Sequence, residues 1–332
     1  MIQKSGGYSC TAAAPCSTAN LGPGFDVFGL SLDAFEDKVK ITSRLEPSQR
    51  ITISTLGKTR TTVPLGPDDN CAGAVLKKMS VDFGISDSLS VYLDKQVPAG
   101  MGVGSSAASS VAAAVAFNRL YDLKIDKTKL VEYAAEGELV SAGIKHYDNV
   151  SSSLLGGFVI VRTSPQLEFI RIDPPKDLVM IIAVPSIKVP IRKTEIARRV
   201  LPKLVPLRNV IQNVSNACTI VSGFLLKDVE TIAKGIDDMI VEPRRKDLIP
   251  GYDRVKMNAL SAGALAVTIS GAGPSMISFL RDDKEAIECV AHSMTKGFKE
   301  ANIQSRTLTC HASKGARVLE APPKTSANER SI

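Results

Sequence analysis

Strand signals recur along the chain, either as alternating apolar and polar residues or as short runs of β-branched residues. They predict strands at residues 8–14, 38–45, 51–55, 89–97, 154–163, 167–172, 177–185 and 304–311, and a strand, glycine turn and strand over 264–282. Apolar residues at helical spacing predict helices at residues 71–84, 105–121, 127–139, 207–226, 229–240 and 283–300. Asp126 is the expected N-cap of the third of these helices. Strands and helices in both halves of the chain predict an α+β fold.

The stretch VPAGMGVGSSAASSVAAAV, residues 97–115, is dense in glycine and serine and then runs into alanine. Glycine destabilises helices and alanine favours them, so we predict a flexible loop from Gly100 to Gly104 and a helix that begins near Ser105. The start of a helix carries unpaired N–H groups and partial positive charge, which suit an anion such as phosphate. The alternative is a tight turn whose glycines only let the helix pack closely on a strand. The stretch alone leaves both interpretations open.

The composition is typical of a soluble globular protein of about two domains. Of the 332 residues, 44% are hydrophobic and 23% are charged. Prolines and a predicted turn concentrate at residues 165–176, so we expect a change of domain there. The segment 321–332 is polar and contains proline, and we expect it to be disordered.

The net charge of +7 is spread along the chain, with only short basic clusters. Scattered charge and an aromatic content of 5% favour a small anionic substrate over a nucleic acid, which needs a basic stripe or a stacking surface. The six cysteines contain no Cys-x-x-Cys pair, so we expect free thiols and no zinc site. No apolar run reaches the roughly 18 residues of a membrane span, and the N-terminus lacks a signal-peptide pattern. We therefore expect a cytoplasmic protein that binds neither nucleic acid nor membrane.

The glycine loop matches neither of two common phosphate-binding motifs. Residues 100–106 contain no lysine and lack the Gly-Lys-Ser/Thr ending of the P-loop. The order Gly-x-Gly-x-Gly also differs from the Gly-x-Gly-x-x-Gly of dinucleotide-binding proteins. A phosphate here would have to be held by backbone N–H groups and hydroxyls, with a metal ion supplying most of the positive charge.

Three glycine-bearing stretches, taken together, resemble a known family. APCSTANLGPGFDVFGLSLD (14–33), VPAGMGVGSSAAS (97–109) and SGAGPS (270–275) resemble, in this order and at these separations, the three motifs of the GHMP small-molecule kinases. Within that superfamily the first stretch resembles the signature of the homoserine kinases. HYDNVSSSLLGGF (146–158), TEIARRVLP (194–202) and EPRRKDLIPGY (242–252) resemble further segments of the same kinases. The resemblance extends from about residue 8 to residue 315.

This resemblance implies a two-domain GHMP kinase fold. Residues 1–168 would form an ATP-binding domain like ribosomal protein S5, and residues 169–320 a ferredoxin-like α/β sandwich. The implied protein is a homodimeric enzyme that transfers the γ-phosphoryl group of ATP, with Mg²⁺, to the side-chain hydroxyl of L-homoserine in threonine biosynthesis. Two alternatives remain: a GHMP kinase for another hydroxyl acceptor, such as shikimate or mevalonate, and a catalytically inactive binding protein with the same fold.

The resemblance also implies which residues bind the nucleotide. The phosphates are assigned to the glycine loop and to one threonine: Pro98, Ala99, Gly100, Met101, Gly102, Val103, Gly104, Ser105, Ser106 and Thr194. Ser106 and Glu138 would contact Mg²⁺ through hard oxygen ligands. Ser105 could equally cap the helix. An isolated glutamate is ordinarily a solvated helix residue, but Glu138 lies eight residues before His146, as in the family, and this favours the metal role.

The acceptor is assigned to Asn20, Asp26, His146, Arg198, Arg245 and Gly271. Arg198 and Arg245 match the family arginines that hold the substrate carboxylate, for which a planar guanidinium is suited. The anionic Asp26 is a fitting partner for the substrate ammonium group. Asn149, Asp26 and Arg198 are the expected catalytic residues. Asparagine cannot take a proton at neutral pH, so we expect catalysis mainly by alignment and charge neutralisation; Asp26 acting as a base is the alternative.

Overall fold

The computed structural model describes residues 8–44, 50–55, 63–190 and 193–322. These residues form the strands β1 (Ser9–Asn20), β2 (Gly24–Arg44), β3 (Ile51–Thr55), β4 (Ser88–Asp94), β5 (Phe158–Arg162), β6 (Glu168–Ile172), β7 (Leu178–Pro185), β8 (Ala266–Ile269), β9 (Met276–Arg281), β10 (Ser305–Cys310) and β11 (Arg317–Glu320). The helices are α1 (Cys71–Asp82), α2 (Ser105–Leu120), α3 (Lys127–Ala142), α4 (Tyr147–Leu155), α5 (Lys193–Arg199), α6 (Leu207–Leu226), α7 (Val229–Gly235), α8 (Glu242–Arg245), α9 (Tyr252–Ser261) and α10 (Lys284–Glu300). The α+β prediction is confirmed.

The first sheet has the order β11-β1-β2-β4-β3, and β5 and β6 extend it from β2. All its pairs are antiparallel except β3 with β4. The 21-residue strand β2 connects the parts of the sheet, because it pairs with β5 near its start and with β4 near its end while β1 runs beside it.

Helix α2 is the buried centre of the first half of the chain. It packs against β1, β2, α1 and α3. Its short alanine side chains let these neighbours approach closely, while Val111 and Phe117 fill the core beside Val39 and Leu76. Full burial of a side chain of this size stabilises the fold by roughly 1.5–3 kcal/mol. The helix that follows the glycine loop is therefore rigidly held.

The second sheet is antiparallel with the order β10-β7-β9-β8. Helices α9 and α10 cover one face, where Val255 and Phe298 are buried. The core on the other face is shared with α6, α7 and the first sheet. Phe158 of β5 stacks on Phe224 of α6 with 4.0 Å between ring centroids. This shared core joins the two sheets.

The elements differ from the sequence predictions where tertiary contacts dominate. The first motif lies within a longer β1 and β2 than predicted, because Cys16 to Ala19 pair with the first part of β2. Helix α7 ends at Gly235, so the prediction that it reaches Ile240 is wrong. Asp126 is confirmed as the N-cap of α3, since its side chain accepts a hydrogen bond from the N–H of Lys129. Helices α4, α5, α8 and α9 and strand β11 were not predicted.

The chain leaves the first sheet after Ile172, enters the second at Leu178 and returns to the first at β11. The predicted boundary between residues 168 and 169 thus falls at the first residue of β6, and the division into two domains stays a prediction. Of the tail 321–332, for which we predicted disorder, only residues 321 and 322 lie within the described residues. Across the described ranges, no helix combines the length and the apolar character needed to cross a membrane.

Candidate active site

A cavity of about 600 Å³ opens where the glycine loop, the turn between β1 and β2, helix α5 and the turn between β8 and β9 meet. It is lined by all the predicted site residues except Pro98 and Val103. Val103 is fully buried, and its carbonyl accepts a hydrogen bond from the N–H of Ser17 at 3.2 Å. Residues that are far apart in the sequence therefore converge on one site, and Val103 holds the loop to β1.

The loop glycines are required by close packing. Gly102 and Gly104 have positive φ values of 79° and 67°. A Cβ on Gly102 would lie 2.4 Å from the carbonyl oxygen of Ser270, and one on Gly104 would lie 2.1 Å from the hydroxyl of Ser17. Close packing therefore requires glycine at these two positions, which is compatible with phosphate binding by the loop.

The start of α2 has free backbone donors. Its N-cap is Gly104, which provides no side-chain cap. Ser105 is not a cap either, because its hydroxyl donates to the carbonyl of Val97 at 3.0 Å. In the described part of the chain the N–H groups of residues 105–107 have no acceptor. Unpaired N–H groups and the helix dipole make this end of α2 an anion-binding site.

Ser106, Glu138 and His146 form a chain of hydrogen bonds. The hydroxyl of Ser106 donates a short hydrogen bond to Oε1 of Glu138, and Nδ1 of His146 lies 3.0 Å from Oε2. Glu138 is only 4% exposed. Burial lowers the pKa of His146, but the hydrogen bond and the negative charge of Glu138 outweigh burial, so this pKa is raised. The carboxylate is thus held in one orientation at the lining of the cavity.

Ser106 and Glu138 present the oxygen ligands that Mg²⁺ prefers. In the described ranges, no group of three or more His, Cys, Asp or Glu side chains could hold a metal ion alone. A magnesium ion here would take its remaining ligands from water and from phosphate oxygens, which is usual for this ion. The donor set fits Mg²⁺ together with a nucleotide.

The turn between β1 and β2 has strained backbone. Asn20, Leu21 and Asp26 have φ values of 74°, 48° and 60°, which are uncommon for residues with a side chain. The amide of Asn20 donates to the carbonyl of Gly271 at 2.8 Å and accepts from the N–H of Asp26 at 3.2 Å. These bonds connect the first motif to the third and hold Asp26 at the cavity.

Arg198 and Arg245 form a cationic pair at the same turn. Both guanidinium groups lie about 5 Å from the ring centroid of Phe25. Nη2 of Arg198 lies 2.7 and 2.6 Å from the two carboxylate oxygens of Asp26. Nε of Arg198 is buried and has no hydrogen-bond partner in the described chain. A buried donor without a partner is unfavourable by about 1–3 kcal/mol, so a ligand that accepts from it would be favoured.

Arg245 is 3% exposed, yet it forms no ion pair within the described residues. Its Nε donates to the carbonyl of Ala197 at 3.0 Å and its Nη1 to that of Gly271 at 3.3 Å. Burial and the charge of Arg198 lower the pKa of Arg245 to about 10. A buried cation without a direct ion pair is suited to an anionic ligand.

Asn149 connects the first motif to helix α4. Its Oδ1 accepts from the hydroxyl of Ser17 at 3.0 Å, and its Nδ2 donates to Oδ1 of Asp148 at 3.2 Å. Asp148 was missed by the sequence analysis, although it lines the cavity and precedes Asn149. Burial raises the pKa of Asp148 to about 6. The only signal in the sequence for Asp148 was its position before the predicted Asn149. The burial of Asp148 cannot be predicted from a polar segment.

Two lysines at the cavity were also missed. Lys95 pairs with Asp37, and both side chains are buried. Oδ1 of Asp37 accepts from the N–H groups of Gln96 and Val97 at 2.9 Å, so the pair holds the start of the glycine loop. Lys193 lines the cavity beside the predicted Thr194. Neither lysine lies in a glycine motif, so the sequence provided no signal for them.

Comparison with known proteins agrees with this architecture. The chain matches the family described as GHMP kinases N terminal domain over residues 70–157 and that described as GHMP kinases C terminal over residues 220–299. A homoserine kinase of Halorubrum lacusprofundi is 38% identical over 93% of this chain and 99% of that protein. One of Thermoplasma volcanium is 36% identical over 93% of this chain and 96% of that protein.

A solved structure extends the similarity to three dimensions. The crystal structure of homoserine kinase from Cytophaga hutchinsonii matches with a TM-score of 0.86 and 34% sequence identity, over 96% of this chain and 99% of that one. The GHMP kinase fold predicted from the three glycine-bearing stretches is confirmed.

Proposed function

This chain belongs to the GHMP kinase family, and from this premise we propose that it transfers the γ-phosphoryl group of ATP to the side-chain hydroxyl of L-homoserine. The product is O-phospho-L-homoserine, an intermediate of threonine biosynthesis. The observation that carries the proposal is the convergence, in one cavity, of an uncapped helix start with the pair Arg198 and Arg245. The first suits phosphates, and the second suits the carboxylate of an amino acid.

The nucleotide phosphates would lie over the glycine loop and the start of α2. The free N–H groups of residues 105–107 would donate to phosphate oxygens, and Thr194 lies on the opposite lining element, α5. Ala99 to Gly102 would contribute backbone groups, since they line the cavity. Pro98 and Val103 would act only by holding the loop, because they do not line it.

Ser106 and Glu138 would hold Mg²⁺. The bound ion would neutralise charge on the nucleotide phosphates. The protein's part is to present two oxygen ligands and to keep them in place. His146 does this for Glu138 by bonding to its second carboxylate oxygen. Such support of a ligand by a neighbouring residue is a common feature of metal sites.

The acceptor would lie between the arginines and the turn between β1 and β2. Its carboxylate would accept from Arg245 and from the unpartnered Nε of Arg198. Its ammonium group would be attracted by Asp26, with Asn20, His146 and the carbonyl of Gly271 close by. The selectivity for an amino acid follows from the arginines and Asp26, which present positive and negative charge to the same small cavity.

Catalysis would rest on alignment and on charge neutralisation. Asn149 has no proton-accepting group at neutral pH, and its amide is already held by Ser17 and Asp148. Asp26 would have to leave its ion pair with Arg198 in order to take a proton from the substrate hydroxyl. Phosphoryl transfer through a loose transition state needs little early proton removal, so positioning is sufficient.

The test is ADP release from Mg-ATP with L-homoserine, L-serine, shikimate or mevalonate as acceptor. We expect selective turnover of homoserine, lost in Arg245→Ala and in Glu138→Ala. Arg50→Ala, at an exposed arginine that does not line the cavity, is the matched control and should retain full activity. Turnover of another acceptor would support kinase activity but contradict homoserine as the substrate. Binding of ATP with no turnover on any acceptor would favour a non-catalytic protein. A homodimer and a cytoplasmic location stay predictions from the family resemblance.

A further inference from the structure

The glycine loop lacks the lysine that P-loop proteins place against the transferred phosphate, and a lysine from the second half of the chain lies beside it. Lys193 is the first residue of α5 and lines the cavity together with Gly100 to Gly104. Its position is set by α5, which carries Thr194 and Arg198 on the same side of the cavity.

The ammonium group of Lys193 is located by one contact. Its Nζ donates a short hydrogen bond to the carbonyl oxygen of Gly273 in the turn between β8 and β9. That oxygen packs against the glycine loop, since it would lie only 2.5 Å from a Cβ placed on Gly102. The nitrogen therefore lies next to the part of the loop at which the phosphates would bind. The ammonium group has three N–H donors. The carbonyl of Gly273 occupies one of them, and the other two remain for a ligand.

The charge around Lys193 is uncompensated. Within the described residues it forms no ion pair, and the charged group that acts on it most strongly is Arg245, another cation. Burial and the charge of Arg245 lower the pKa of Lys193 to about 7. An anion bound beside such an amine stabilises its protonated form, because the negative charge compensates for the burial of the positive one.

We propose that Lys193 supplies the cation that the glycine loop lacks, by contacting the γ-phosphoryl group of ATP between the loop and the acceptor site. This inference rests on the proposed function for the identity of the nucleotide, and it adds a catalytic residue to the site. Nζ takes up a proton when the nucleotide binds, and the two N–H bonds that the Gly273 carbonyl leaves free then stabilise the charge on the oxygens of the transferred group. The residue lines the same cavity as Arg245 and the glycine loop, in which the acceptor and the phosphate must meet.

The first experiment measures proton uptake, which a merely structural lysine would not produce. Mg-ATP is titrated into the protein by calorimetry at about pH 8, in buffers of different ionisation enthalpy, without any acceptor. An amine with a pKa of about 7 is roughly 90% neutral at that pH, so we expect uptake of nearly one proton per site. The uptake should be smaller with Mg-ADP, and absent in Lys193→Met and Lys193→Arg, since arginine is always charged.

The other ionisable groups at the cavity remain present in these variants, so a difference from the wild type isolates Lys193. They are Asp26 on β2, Asp69 before α1, Cys71 on α1, Lys95 after β4, Glu138 on α3, His146 and Asp148 at the start of α4, Arg198 on α5 and Arg245 on α8.

The second experiment measures turnover. Lys193→Met should lower kcat by about 100-fold, which is typical for loss of one preorganised donor to a developing charge, and should leave the KM for homoserine within a few-fold. Lys193→Arg should retain more activity than Lys193→Met because it keeps the charge. Lys203→Met, on an exposed lysine outside the cavity, is the matched control and should behave as the wild type.

The inference is wrong if Lys193→Met retains kcat within about twofold of the wild type, or if its proton uptake equals that of the wild type. The proton uptake needs only ATP. If wild-type protein takes up the proton and Lys193→Met does not, but homoserine is not turned over, the contact of Lys193 with the nucleotide stands and the substrate proposal fails.

Discussion

The two sides of the cavity are built in different ways. The phosphate side consists of one continuous segment, the glycine loop and the start of α2, and it acts through backbone N–H groups. The acceptor side consists of side chains from Asp26, Arg198 and Arg245, which are far apart in the sequence. The first side is closely packed against β1 and the third motif, whereas the second contains a buried arginine without an ion pair in the described chain, Arg245, and an unpartnered Nε on Arg198.

Because of this difference, substitutions on the two sides of the cavity should affect stability and function differently. On the phosphate side the loop that would bind a ligand is also closely packed against its neighbours, so a substitution there should affect folding and binding together. On the acceptor side, buried charges and strained backbone are unfavourable in the absence of a ligand, so a substitution there can lower activity while it raises stability. The predictions below test this contrast.

The largest effect is expected for Gly102→Ala on the phosphate side. The new Cβ would clash with the carbonyls of Ser270 and Gly273, at 2.4 and 2.5 Å, on a backbone with positive φ. We expect a loss of roughly 3–5 kcal/mol in the free energy of unfolding, or failure to fold. Chemical denaturation measures this loss.

Gly84→Ala is the matched control, because Gly84 also has positive φ but no atom lies within 4 Å of its added Cβ. It should lose only about 1–2 kcal/mol. Equal losses in the two variants would show that close packing of the loop is not what requires glycine at position 102.

A smaller effect, confined to function, is expected for Arg245→Lys on the acceptor side. Lysine keeps the positive charge but loses the planar fork that bonds to Ala197 and Gly271 and faces the cavity. We expect the KM for homoserine to rise by about 100-fold, with the KM for ATP within a few-fold. Steady-state kinetics with each substrate varied in turn measures both.

Arg254→Lys is the control, since this exposed arginine also donates to a backbone carbonyl, that of Glu300, outside the cavity. It should leave both KM values unchanged. If Arg245→Lys raised the KM for ATP as much as that for homoserine, the two sides of the cavity would not be separable.

The smallest effect is expected for Asp148→Asn. This variant should be more stable than the wild type, whereas Gly102→Ala should be less stable. The pKa of Asp148 is raised to about 6 in the folded protein, above the value near 4 of an unfolded chain, so folding with the ionised carboxylate is unfavourable. This penalty is absent below about pH 4, grows between pH 4 and 6, and is complete above about pH 6. Asp148→Asn should therefore gain on the order of 2 kcal/mol in the free energy of unfolding at neutral pH.

Urea denaturation of the wild type and of Asp148→Asn at about pH 4.5 and pH 8 tests the sign, since the gain should be larger at the higher pH. Asp253→Asn, on an exposed aspartate outside the cavity, should show no such increase with pH. A gain for Asp148→Asn that did not depend on pH would rule out ionisation as its cause.

Much of the site could be predicted because its motifs are local. Helix α2 begins at Ser105 as expected, since the change from glycine to alanine acts within a few residues. Glu138 and His146, which the resemblance assigned to the site, line one cavity, but the hydrogen bond between them is visible only in the structure. Helix α4 was missed because its segment, YDNVSSSLL, has low helical propensity and is stabilised by burial against β1 and β2.

The sequence by itself determined the α+β class, the glycine loop with its helix, and the cap of α3, because these follow from the conformational preferences of neighbouring residues. Only the tertiary structure decided that Asp148 is buried, that Arg245 has no counter-ion in the described chain, and that Lys193 lies beside a loop some ninety residues earlier in the sequence. Burial and electrostatic interaction depend on distance in space, and residues far apart in the sequence set both.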